Sequence, residues 1–316
     1  MSSSIFQSMN GCMQSLTLQK MRYLVSIAEN GSITKAARNL FVSQPSLTKT
    51  IQEIEDEIGF AIFDRTRTGI RITRNGEEFL VYVRQVLDQA DLLQEKYISQ
   101  GPRKKQYCVS TLHYSFSVRA FIELVKKHQY DEFDFSIRET QMGEIVEDVA
   151  SMKSALGVIY LNESNEKILE KTFKERDLVF KEIAEASPRI FLSINHPLAH
   201  NVSLSMEDLK EFPYVSFEHK EHDSFYLTEE MLNALDKSRH IRVRDRATLF
   251  DLLIGVNAYT LTHSSLHPEL TGSRLSAIPL KNRGYARIGI IHHRNRLLGK
   301  LSHFYIEQLH RFIDII

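Results

Sequence analysis

At 316 residues, 42% of them hydrophobic, the chain is longer than one average domain and has enough apolar side chains to bury more than one core. Its 40 basic and 40 acidic side chains cancel, which excludes a protein that holds polyanions by bulk charge and leaves local charge distribution as the only electrostatic signal. The two cysteines, Cys12 and Cys108, stand at no metal or redox spacing, and neither a membrane-length apolar run nor a signal-peptide pattern is present, so a soluble cytoplasmic protein is expected.

Met1 to Cys12 is polar and Ser-rich and reads as a flexible tail. Leu18, Met21, Val25 and Ala28 then recur at helical spacing and predict a first helix. Ser32, after the turn residue Gly31, caps a second, whose small pair Ala36 and Ala37 lets another helix approach and whose Leu40 closes the face. After a break at Phe41 and Val42, Ser43 caps a third helix. Pro45 is tolerated there because the first turn leaves its backbone N–H groups unpaired. Leu47, Ile51, Ile54 and Ile58 form its buried stripe, and Gly59 ends it. The opposite face gathers Gln44, Pro45, Ser46, Thr48 and Lys49 near the helix N-terminus, the end that a recognition helix offers to base edges in the major groove. The competing reading is an ordinary solvated face.

Ala61 to Thr73 reads as a short hairpin turning at Thr68-Gly69. Arg65, Arg67, Arg71 and Arg74 line this wing and, with Ser43, suit phosphate or minor-groove contacts; a solvated basic hairpin is the alternative. Between Met13 and Gly76 nine Lys or Arg face six Asp or Glu, so the basic excess is local. Thr73 caps a long helix reaching about Gln100, roughly 39 Å at 1.5 Å per residue. Phe79, Val83, Val86, Ala90, Leu93 and Tyr97 alternate along it in steps of four and three, a heptad seam that favours a homodimer over packing within its own domain. A two-fold dimer sets its reading helices about 34 Å apart or a multiple of that, and so predicts an inverted-repeat operator on double-stranded DNA.

The polar stretch Ser99 to Gln106 reads as a hinge. Beyond it YCVSTL, FDFSIRE and ALGVIYL alternate with helices near Val118–Lys127 and Gly143–Ser151, an order that implies parallel βαβ units. RIFLSI, YVSF, AYTLT and ARIGIIHH continue the strands, and Leu301–Ile315 forms a last helix. Ligands of open α/β sheets sit at the carboxyl ends of strands. Those ends offer Ser110, Thr111, His113 and Ser115, then Glu139, Thr140 and Gln141, then Phe217 and Glu218, then Thr262 and His263. Their hydroxyls suit a small carboxylate or other anion, while each residue taken alone also fits a cap or turn. No Walker loop, GxGxxG, GxSxG, HExxH or CxxC is present, so neither an enzyme nor a cofactor is expected. His219 with His222, His263 with His267, and His292-His293 lack acidic or thiolate companions at ligand spacing, so no metal is expected either.

One gapped pattern carries a family resemblance: Ala36-Ala37, Leu40, Ser43-Gln44-Pro45-Ser46-Leu47-Thr48, Ile51, Ile54-Glu55, Ile58-Gly59, Ile62-Phe63, Arg65, Thr73 and Gly76. It resembles the LysR-type bacterial transcriptional regulators, with Thr48 where many members have Ser and Ile58 where many have Leu. The resemblance implies an α/β protein with an N-terminal all-α winged helix-turn-helix at 13–73, a dimerisation linker helix at 74–100 and a hinge at 101–106. A two-lobed effector-binding domain like the periplasmic binding proteins follows at 107–316, with lobe I at 107–179 and 284–316 and lobe II at 180–283. It further implies dimers assembling into tetramers and a small-molecule effector between the lobes. His196-Pro197-Leu198-Ala199 and Glu207-Asp208-Leu209 match phrases common in the second lobe, whereas Gly255-Val256-Asn257-Ala258 stands where many members have a Gly-rich loop. The other function class open to this sequence is a small-molecule-binding or catalytic α/β protein whose N-terminal helices serve only assembly.

Overall fold

The computed structural model describes residues 16–66, 69–97, 105–128, 132–218, 239–263, 274–281 and 284–313. The N-terminal tail 1–12, hinge residues 101–104, Arg67, His219, His222 and His267, and the side chains of Arg65 and Tyr97, lie outside that description. The chain divides into two compact units at Gln100/Gly101.

The first unit contains α1 (Leu18–Asn30), α2 (Ile33–Asn39), α3 (Gln44–Ile58), the hairpin β1 (Phe63–Thr66) and β2 (Gly69–Ile72), and α4 (Arg74–Tyr97). Thr17, Ser32 and Ser43 cap the first three helices, each side chain accepting a backbone N–H from Lys20, Lys35 and Ser46. Gly31 and Gly59 close α1 and α3 in the left-handed region, at φ 59° and 79°. Leu24, Ile27, Ala36, Leu47 and Ile54 make the core, all fully buried. The buried face of α1 is Met21, Leu24 and Ile27, while Leu18 is exposed. This departs from the expected stripe because α1 serves two neighbours: Leu24 and Ile27 join the core shared with α2 and α3, and Met21 packs on Val83 and Leu87 of α4.

The wing is tied to the helices by polar contacts. Glu55 Oε1 accepts from the backbone N–H groups of Ile62 at 2.7 Å and Phe63 at 3.0 Å. Thr73 Oγ1 donates to the Ala61 carbonyl at 2.7 Å and accepts from Gly76 N at 2.9 Å. A Cβ on Gly76 would stand 2.2 Å from the Ile62 carbonyl oxygen, so only glycine lets α4 start this close to the hairpin.

The second unit holds two five-stranded sheets. The first, ordered β4-β3-β5-β12-β6, comprises β3 (Lys105–Thr111), β4 (Phe133–Glu139), β5 (Leu156–Leu161), β6 (Leu178–Ala186) and β12 (Ala286–His293). Its helices are α5 (Ser115–Lys127), α6 (Met142–Ala150), α7 (Glu166–Glu175) and α9 (Lys300–Ile313). Strand β3 runs parallel to β4 and β5, as the βαβ order predicts, and β12 returns antiparallel between β5 and β6. The second sheet, ordered β11-β7-β10-β8-β9, comprises β7 (Arg189–Ser193), β8 (Tyr214–Phe217), β9 (His240–Val243), β10 (Tyr259–Thr262) and β11 (Leu275–Pro279). Helix α8 (Arg246–Gly255) packs on it through Leu249 and Leu253.

Two boundaries move. Strand β6 pairs with β12 from Leu178↔His293 to Ala186↔Ala286, so lobe I extends through Ala186 and the crossover falls at the next turn, not at residue 179. Lys105 and Gln106 are strand residues rather than hinge, because they pair with Phe133 and Asp134.

Candidate functional site

The first constellation is the exposed face of α3. Leu47, Ile51 and Ile54 point into the core, which turns Ser43, Gln44, Pro45, Ser46 and Lys49 outward, with Thr48 half-buried beside them. Gln44 Nε2 donates to Thr48 Oγ1 at 3.1 Å, holding the amide along the helix with its carbonyl oxygen directed away from that bond. The Ser43 cap engages Ser46 N, and the remaining first-turn N–H groups give this end a partial positive charge. Glutamine, two hydroxyls and one ammonium on a helix N-terminus are the groups that read base edges and approach phosphates.

On the wing, Arg65 lies on β1 opposite Ile70, and Arg71 on β2 opposite Asp64, to which its Nη2 donates at 3.3 Å. Both members of that pair are exposed, so water screens it and a phosphate displaces the carboxylate at little cost. Arg74 is exposed in the first turn of α4.

The five positions of the α4 seam with described side chains separate. Val83 is buried on Met21 and Leu87 of its own unit, and Phe79 packs there too. Val86 and Leu93 are exposed, Ala90 is half-buried, and Tyr82 joins the outer stripe. Sequence spacing missed Tyr82 because the pattern threaded the inward and outward faces of one helix into a single seam.

The second constellation is a cleft between the two sheets of the second unit, with about 680 Å³ of empty space, part of it open to solvent. Of the residues expected at strand ends, His113, Ser115, Phe217, Thr262 and His263 line it. Thr140, Gln141 and Glu218 are not among the residues that line it; Gln141 Nε2 donates across the lobes to the Glu218 backbone carbonyl. Thr140 Oγ1 donates to Glu144 in the first turn of α6, and Glu218 accepts from Arg244 Nε at 2.5 Å. Ser110 and Thr111 do not line the cleft. Ser110 is buried against Asp148 and Ser154, at 2.7 and 2.8 Å, in a polar cluster completed by Arg138. The Thr111 hydroxyl donates to the Leu112 carbonyl. Both are consumed locally, because the strand carries the cleft residues only after it ends.

Three contacts bridge the lobes besides Gln141. The rings of His113 and Phe217 stack with centroids 3.5 Å apart and planes 9° apart. Tyr160 leans on His263 with centroids 4.9 Å apart. Arg246 donates from Nη2 to Glu139, an ion pair largely buried on both sides. Sequence reasoning missed Arg246; the one signal for it was its place after Asp245, whose carboxylate caps α8 by accepting from Thr248 N at 2.9 Å and Thr248 Oγ1 at 2.8 Å. Those two bonds hold the Asp245 carboxyl below its usual range. Burial pushes the His263 imidazole down to about 3, so it is neutral at physiological pH. His196 is no ligand: its Nε2 lies 3.1 Å from the Asn257 carbonyl, its Nδ1 accepts from Leu198 N, and burial lowers it. Among the described residues no group of three or more His, Cys, Asp or Glu is placed to hold a metal, and no helix is long and apolar enough to cross a membrane.

Both constellations fall within regions matched by family models. Residues 18–77 match the bacterial regulatory helix-turn-helix protein of the lysR family, and residues 113–313 match the LysR substrate binding domain. The chain is 29% identical over 204 residues to the HTH-type transcriptional regulator BudR of Raoultella terrigena, covering 64% of this chain and 68% of that protein. It is 36% identical over 77 residues to the regulator ClcR of Pseudomonas putida, covering 24% of this chain and 26% of that one. The shared fold extends to a full-length OxyR variant from Pseudomonas aeruginosa, with TM-score 0.64, 18% identity and 95% of each chain covered. It also extends to CbnR, a LysR family transcriptional regulator, with TM-score 0.53, 14% identity and 94% and 99% of the two chains covered. With both of its units accounted for by these models, the chain belongs to the LysR family of bacterial regulatory helix-turn-helix proteins.

Proposed function

We propose that the protein is a cytoplasmic, DNA-binding transcriptional regulator controlled by a small molecule held in the interlobe cleft. The observation that carries this is the exposed α3 face, where Gln44, Ser46 and Lys49 stand clear of a core that fixes the helix from behind, with Thr48 half-buried beside them. In this reading Gln44 pairs with adenine, Ser46 and Thr48 reach neighbouring base edges, and Ser43, Arg65, Arg67, Arg71 and Arg74 set the register through phosphates. Tyr82, Val86 and Leu93 are apolar, exposed and on one side of α4, which supports pairing with a second copy and hence an inverted-repeat operator. Tetramers built from such dimers would bring two operators together.

Control requires that the ligand bind two quaternary states with different affinity, a coupling of about 1 to 3 kcal/mol. The four interlobe bridges supply contacts that such a ligand could strengthen or break. The test is a titration of the full-length protein against DNA flanking its own gene, from low to physiological salt, with an unrelated duplex as competitor. Competitor-resistant binding with a salt slope of several phosphate contacts, and a footprint with two-fold symmetry, are expected. Equal and salt-insensitive behaviour on every duplex would remove the regulator reading.

A further inference from the structure

The cleft's chemistry restricts what it accepts. Eight of the sixteen described residues that line it carry rings, three are leucines, and Arg246 alone bears a fixed charge. The stacked His113–Phe217 pair forms a flat ring surface in its wall, and Phe191 and Phe250 line it as well. Arg246 is already engaged by Glu139, while Asp245 and Glu218 are taken up by Thr248 and Arg244. His263 adds no positive charge, because burial keeps it neutral.

An anion entering here meets an Arg246 already neutralised by Glu139, so less of its desolvation is compensated. Polar capacity is nonetheless left over. Helix α5 begins at Ser115 in the cleft wall, and its partial positive charge attracts an electron-rich oxygen, charged or neutral.

Resting on the regulator reading above, we propose that the cleft takes a flat, uncharged aromatic compound of one or two rings, stacked beside His113 and Phe217, with a hydroxyl or carbonyl oxygen beside the Arg246–Glu139 pair. The anion suggested by the strand-end hydroxyls is disfavoured, and Glu139 is the specificity-determining group that excludes it.

The experiment uses the full-length protein and matched pairs of probes: benzyl alcohol with benzoate, 4-hydroxybenzyl alcohol with 4-hydroxybenzoate, and indole-3-methanol with indole-3-carboxylate, with benzylamine as a cationic arm. Ligand-observed NMR and calorimetry give relative affinities. At least one neutral member is expected to saturate and to bind about tenfold or more tightly than its carboxylate. Glu139→Gln, which frees Arg246, is expected to raise the carboxylate's affinity about tenfold and reverse the order, while circular dichroism and melting show that the variant is folded. A wild-type preference for the carboxylate or the amine, an unchanged ratio in folded Glu139→Gln, or no binding by any member would each overturn the proposal. Salt-dependent duplex binding by the same preparation tests the regulator reading separately, so the two fail independently.

Discussion

The DNA-facing unit and the ligand-facing unit solve opposite problems of assembly. The proposed reading face on α3 is drawn from one helix, where side-chain direction follows from helical period once the buried stripe is known. The cleft is drawn from residues as far apart as His113, Tyr160, Phe217, Arg246 and His263, which only the two-sheet topology brings together. A local site tolerates change elsewhere in the chain provided that its helix stays seated, whereas a distributed site depends on several loops at once.

That comparison is broken most severely at Gly76. Gly76→Ala drives a methyl into the Ile62 carbonyl, at an expected cost of about 3 kcal/mol. Duplex binding should fail while small-molecule binding in the second unit persists. Loss of both, in mobility-shift and calorimetric assays of the same sample, would show that the units are not separate in stability.

The distributed site carries its own vulnerability to acid. His263 titrates near 6.5 when unfolded and at about 3 when folded, so as pH falls the unfolded chain takes up the proton first. The contribution of the buried neutral ring is therefore complete above pH 6.5 and is lost progressively from there down to about pH 3. At about pH 5 the loss amounts to about 2 kcal/mol. His196 and His293, also lowered by burial, act in the same direction. Urea unfolding of His263→Gln should decline less between about pH 7 and pH 5 than the parent does; parallel declines would rule out the imidazole as the cause.

Gln44→Ala sharpens the local half of the comparison. One base contact is worth about 1 to 3 kcal/mol, so preference at a single base pair should relax while affinity for other sequences is nearly unchanged. A binding-site selection that returns the parent's motif would take Gln44 out of the readout. The smallest effect belongs to Arg71→Ala: uniform weakening on all duplexes and a salt slope shallower by about one unit. Any change of sequence preference in that variant would mean that the wing reads as well as positions.

The same contrast explains what the sequence made legible. Caps at Ser32 and Ser43, the Leu47–Ile51–Ile54 stripe and the hairpin are set by neighbours within a few residues, and each is found at the expected place. Strands β6, β9 and β11 went unread, since LVFKEIAEA alternates weakly, HIRV is four residues long and LSAIP ends in proline. Strand-end reasoning found His113, Phe217, Thr262 and His263 but included Ser110 and Thr111, because a sequence does not reveal that a hydroxyl is already occupied by Asp148 or a carbonyl. Arg246 escaped because its partner Glu139 lies 107 positions away.

Glu55 has a mechanical consequence. Its carboxylate belongs to the proposed recognition helix, yet it grips the two amides from which the wing departs. Helix and hairpin therefore behave as one rigid caliper with a set gape. If helix and wing both engage DNA as proposed, a promoter whose two grooves lie out of phase with that gape must twist or bend to be held, and part of the selectivity would be decided by how easily DNA deforms at base pairs that no side chain touches.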